Sequence, residues 1–154
     1  MGIKSSTEYG RVSFSGPLLA NGEFTVSTIN GFRPTPGDTF LVLSYASATN
    51  EFTCYGGLDF GGGLFLVPHF GKTRLTLTAT TYATNSGLPS LLISRSPGGV
   101  RVLWNAGFPG WTLVSATNLT SPVWVPVPLP LACENQIVLP ATAPQRYFRL
   151  EQGH

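Results

Sequence analysis

Seven carboxylates are spread along this chain of 154 residues: Glu8, Glu23, Asp38, Glu51, Asp59, Glu134 and Glu151. Cutting a glycosidic bond takes two of them across a cleft, one held protonated by its surroundings. Asp38 follows Pro36-Gly37, where its side chain most simply caps a turn by accepting backbone N–H bonds. Glu51 ends the polar turn Ala48-Thr49-Asn50-Glu51, and Glu23 opens a strand beside Gly22. Asp59, next to Gly61-Gly62-Gly63, is the acid best placed to face a ligand, and turn chemistry explains it too.

Nucleophilic and metal chemistry find little to work with. His69 follows Pro68 at a strand end, and neither it nor His154 neighbours a serine or cysteine in a nucleophile setting. Cys54 and Cys133 lack CxxC spacing and read as buried thiols rather than as a single bridge. Two histidines cannot complete a zinc set with them at a familiar spacing. The triple glycine is no phosphate loop, because no Gly-Lys-Ser/Thr follows it. It reads as a tight turn that needs positive φ. No catalytic residue, cofactor or metal is therefore assigned.

The aromatic side chains are the remaining anchors. Exposed rings stack on sugars or pack against partners, and Trp124, Trp111 and Tyr147 join Asp59 as the candidate ligand-binding residues. Trp104 and Trp111 also read as the core of a small domain, whereas Trp124, beside Pro126, Pro128 and Pro130, reads as partly exposed. Asn118-Leu119-Thr120 matches a glycosylation sequon.

The elements that must position these residues are strands. Only 10% of the chain is charged, while Gly (18 residues) and Pro (13) are abundant; this mixture suits short strands between tight turns. No window carries the apolar spacing of an amphipathic helix. Thr39–Tyr45 and Leu64–Val67 are apolar runs without charge, as expected of strands buried on both faces. Arg74–Thr80 alternates, with threonines outward. Val12/Phe14 and Phe24/Val26 are offset by 12 positions (12 to 24, 14 to 26), which suggests successive faces of a coil.

Beyond a linker at Thr81–Gly87 come six short strand candidates: Leu91–Ser94, Val100–Trp104, Trp111–Ser115, Trp124–Val127, Gln136–Leu139 and Arg146–Leu150. Their spacing is that of a β-sandwich, and Pro126 argues that its strand is an edge.

A net charge of +2 with scattered arginines excludes the clustered basic face that nucleic acid requires. No apolar run approaches membrane-spanning length, and Met1–Ser6 lacks the apolar core of a secretory signal.

Residues 8–80, through Tyr9-Gly10-Arg11-Val12, Gly22–Val26, Gly37–Phe40 and Gly57–Leu64, resemble the terminal coils of secreted bacterial proteins. The families in question carry autotransporter-associated β-strand repeats and adhesin-like right-handed β-helices. Residues 88–154, through Val102-Leu103-Trp104, Trp111–Leu119, Pro122-Val123-Trp124 and Tyr147–Leu150, are similar to the small C-terminal β module that follows such solenoids. That half also resembles a minimal fibronectin type III sandwich.

The resemblance implies an all-β protein of two modules: a short right-handed β-solenoid over 1–86 and a small β-sandwich over 87–154. It implies a structural or adhesive role at a secreted or cell-surface location, with the export signal expected upstream. Capping of a solenoid and self-association through sheet edges or surface glycans would follow. The alternatives are a carbohydrate-binding module using Trp124 with Trp111 or Tyr147, and a small polysaccharide hydrolase using Asp59 and a second acid.

Overall fold

The computed structural model describes residues 1–81, 88–96, 99–104, 110–129, 136–142 and 145–153. Among these the regular structure is all β, in several small sheets and without a helix. Of the predicted linker Thr81–Gly87, Thr81 instead ends a strand (Arg74–Thr81), and residues 82–87, the Pro97-Gly98 turn, and Pro130, Cys133, Glu134 and His154 lie outside the described residues.

In the first half the chain returns over itself. Strands β1 (Gly2–Ile3), β2 (Val12–Ser13), β3 (Pro17–Leu18) and β4 (Glu23–Thr25) are followed by β5 (Ser27–Thr28), β6 (Thr39–Ser44), β7 (Ser47–Ala48) and β8 (Cys54–Gly56). The first four pair with the second four in the same order, each pair parallel. Gly2 lies opposite Ser27 and Glu23 opposite Cys54, so the return takes 25 residues (2 to 27) to 31 (23 to 54).

The expected twelve-residue repeat is not this period. Phe24 and Val26 are buried, but Val12 and Phe14 are 43% and 42% exposed. The partner of Val12 across the pairing is Leu43, not a residue twelve positions on, so the two segments do not occupy equivalent places.

Polar side chains and glycines hold the two turns of chain together. The amide of Asn50 donates to the carbonyl of Ala20, and the Thr53 N–H donates to Gly22 O at 2.8 Å. At Gly57 (φ 69°) a Cβ would lie 1.9 Å from the carbonyl oxygen of Val26, so only glycine fits this approach.

Strand β9 (Leu64–Phe70) and β10 (Arg74–Thr81) extend β6 into a four-stranded sheet, β2-β6-β10-β9. The expectations for these runs hold. In β9 every residue but His69 is buried, and in β10 Leu75, Leu77 and Ala79 point inward while the threonines face outward. Gly61, Gly62 and Gly63 all have positive φ, the tight turn that three glycines in a row suggested. Phe40, Val42, Phe65, Leu66, Leu75 and Leu77 form the centre of this core. Burying each large aliphatic or aromatic side chain stabilises the fold by about 1.5–3 kcal/mol.

The six strand candidates of the second half all form: β11 (Leu91–Ser96), β12 (Gly99–Trp104), β13 (Trp111–Ala116), β14 (Val125–Pro126), β15 (Gln136–Leu139) and β16 (Tyr147–Gln152). They make two three-stranded antiparallel sheets, β11-β12-β15 and β14-β13-β16. Pro126 sits in an edge strand, where its missing N–H costs no ladder bond.

Period-two alternation gives β12 two separate tasks. Val100, Val102 and Trp104 pack with Leu113, Ile137 and Leu139 in a second core. Leu103 packs into the first core, along with Leu92. One sheet is thus a shared wall, which explains why its central strand reads as continuously apolar apart from Arg101.

Candidate functional site

The shared wall carries the one buried charge cluster among the described residues. Arg101 lies on the Leu103 face of β12, and its neighbours across the sheet are Ser94 and Val138. The guanidinium reaches the first half, where Nη1 donates to the carbonyl of Pro68 in β9. Its Nη2 forms an ion pair with Glu51 Oε1, the two side chains being 1% and 3% exposed. The hydroxyl of Tyr55 donates to Glu51 Oε1 at 2.8 Å, and Ser96 Oγ donates to Oε2. The guanidinium also stands over the Tyr55 ring, 4.8 Å from its centroid. Gln136 Nε2 completes the cluster by donating to Tyr55 O. Arg101 Nε and Ser94 Oγ make no hydrogen bond among the described residues.

Burial governs the electrostatics. It lowers the pKa of Arg101 to about 10 and pushes Tyr45 up to about 12. Tyr55 lies well above the ordinary tyrosine range, first through burial and then through the neighbouring Tyr45. Desolvation disfavours whichever form of each group is charged. Both oxygens of Glu51 are engaged, Oε1 by Arg101 and Tyr55 and Oε2 by Ser96.

Glu51 and Arg101 are the residues that the sequence reading passed over. Glu51 was placed in a polar turn, whereas its side chain is buried. A signal was present in Val100-Arg101-Val102-Leu103-Trp104, where a charge inside a buried strand demands a partner.

The candidate ligand residues do not converge. Asp59 Oδ1 accepts the Gly61 N–H at 2.7 Å, and Arg33 donates to the carbonyls of Phe60 and Gly61, so the acid belongs to its turn. Asp38 does what its position suggested, accepting the Thr35 N–H at 2.8 Å. Glu8 pairs with Lys4, Glu151 with Arg149, and Glu23 accepts from Thr25 Oγ1. No group of three or more His, Cys, Asp or Glu side chains could hold a metal ion among the described residues. His69 is exposed on β9, and Cys54 is buried.

The aromatics divide between two faces. Continuing the β13–β14 register by one residue puts Trp124 beside Ala116, whose partner across β16 is Tyr147. Trp124 and Tyr147 therefore share the outer face, where Arg149 stacks on the indole at 4.1 Å. Trp111 lies at the far end of β13, half-buried and lining a small cleft with Leu91 and Leu150. Trp104 is core, as expected. A sugar approaching Trp124 would meet a ring face already covered by a guanidinium.

The class that this fold and these sites define is an all-β protein whose two cores share a sheet. No protein-family model, curated protein or solved structure matches the chain. No helix among the described residues is long and apolar enough to cross a membrane.

Proposed function

We propose that the chain is a non-enzymatic structural module that terminates a β-solenoid. In this reading β1–β8 are two stacked coils, and the two antiparallel sheets of the second half form a sandwich that covers one end of the stack. The observation that carries it is the in-order parallel pairing of β1–β4 with β5–β8. On the β8 side Gln136 binds Tyr55 O and Leu103 enters the core, although β7 and β8 pair with no further strand among the described residues. On the other side β2, β3 and β4 likewise pair with no further strand among the described residues.

An open strand edge is a template for another strand, and exposed apolar side chains there add to the drive. Val12, Phe14 and Leu19 line that region, Leu19 at 77% exposure. The module would therefore take a further coil or associate with itself at this side. A secreted or cell-surface setting belongs to the same proposal and is supported by the low charge and the Gly- and Thr-rich strand texture.

Light scattering over a concentration series tests it, comparing the intact chain with a Phe14→Lys/Leu19→Lys variant. We expect mass to rise with concentration in the first and stay at one chain in the second. A monomer in both would sink the assembly role.

Sugar binding is the second reading, favoured by the placement of Trp124 and Tyr147 on one face. It requires Arg149 to leave the indole.

A further inference from the structure

We propose that the opening between the two C-terminal sheets, at Arg146, is a binding site for a small apolar carboxylate. It lies apart from the coil edge and does not depend on the capping role. The cavity measures about 240 Å³, and Ile93, Val100, Leu139 and Phe148 make it apolar while Gln145 and Arg146 stand among its polar lining.

Arg146 is the reason for an anion. Its Nε and Nη2 both point at Ser115 Oγ, at 3.3 and 3.1 Å, a neutral oxygen. The guanidinium also lies over the Phe148 ring, 5.4 Å from the centroid. These contacts fix its plane without neutralising it. The ion pairs among the described residues are Lys4–Glu8, Arg101–Glu51 and Arg149–Glu151, and Arg146 belongs to none. A guanidinium has five N–H donors in a planar fork, so donors remain for a carboxylate.

Size sets the ligand class. At roughly 30 Å³ for each water displaced, the cavity holds on the order of eight waters, or an apolar chain of about that many carbons. That is below the roughly 300 Å³ at which drug-sized pockets begin, and too small for a glycan or a folded peptide. The apolar tail would lie on Val100, Leu139 and Phe148, with its carboxylate on Arg146.

The test is calorimetric titration of the intact chain with sodium octanoate, 1-octanol and octylammonium chloride. We expect saturable one-to-one binding of octanoate, weaker binding of octanol and none of octylammonium. Arg146→Gln should weaken octanoate about tenfold, the size expected from losing a charge-assisted pair, and leave octanol unchanged. Ala141→Phe, which fills the rim from an exposed position, should abolish both. Octanoate binding that equals octanol, that survives Arg146→Gln undiminished, or that is absent overturns the proposal.

Discussion

Glu51 and Arg101 form an ion pair closed off from water on both sides, one residue from a turn of the first half and the other from the central strand of the second. Such a pair contributes little net stability, yet losing one partner strands the other charge in the interior. Arg101→Met and Glu51→Leu should each destabilise by about 3–5 kcal/mol, and Glu51→Leu/Arg101→Met together by much less than the sum. Urea denaturation of the four proteins checks this as a double-mutant cycle. Additive losses would show that the pair is not coupled.

The buried tyrosines set the alkaline limit. Tyr45 is raised to about 12 and Tyr55 further above its ordinary value. A raised pKa in the folded state means that the folded protein holds the proton longer. Stability is then full below the unfolded value of about 10 and falls as pH climbs past it. Arg101, lowered to about 10, has the opposite sign over the same window. Two groups against one leave a net fall from pH 10 to 12. Tyr55→Phe should flatten it, and at neutral pH should cost about 1.5–3 kcal/mol for the lost bond to the Glu51 carboxylate. Urea midpoints measured from pH 7 to 12 check both effects.

Gly57→Ala should disrupt the close approach of the Gly57 backbone to Val26. The positive φ alone costs roughly 1–3 kcal/mol with a side chain present. The Cβ would also meet the Val26 carbonyl oxygen at 1.9 Å, backbone that cannot swing away. Gly61→Ala has open space around its Cβ and should show the φ cost alone. Thermal melts of the pair separate the two terms.

Arg149→Ala should uncover the Trp124 indole. We expect a red-shifted tryptophan emission, stronger acrylamide quenching and a stability loss of about 0.5–1 kcal/mol for the exposed cation–π contact. If sugar binding through Trp124 and Tyr147 is real, affinity for a cello-oligosaccharide should rise in this variant. An unchanged absence of binding would remove the second reading.

Much of the architecture was legible in the residues because it rests on short-range rules. Alternation in Arg74–Thr80 and the uncharged run Leu64–Val67 each state how many faces of a strand are buried, and β10 and β9 follow them. Turn chemistry was equally local: Asp38 caps the turn that begins at Thr35, and three glycines adopt positive φ in a row. All six strands of the second half were readable for the same reason.

What only the tertiary structure decided are the pairings. Parallel strands separated by 25 to 31 residues (2 to 27, 23 to 54) leave no signal at short spacing, so the offset of twelve from Val12 and Phe14 to Phe24 and Val26 points away from the true partner strand, β6. Glu51 looked like a turn residue because its neighbours are polar, and burial came from β11 and β12 folding over it. Trp124 and Tyr147 were candidates by type, but the Arg149 guanidinium on the indole depends on the register of three strands. By itself the sequence determined an all-β chain with low charge and glycine-built turns, since backbone propensity and alternation act within a few residues. Which edges stay open, which charges meet and which rings are covered depend on contacts between distant segments, and those exist only once the chain has packed.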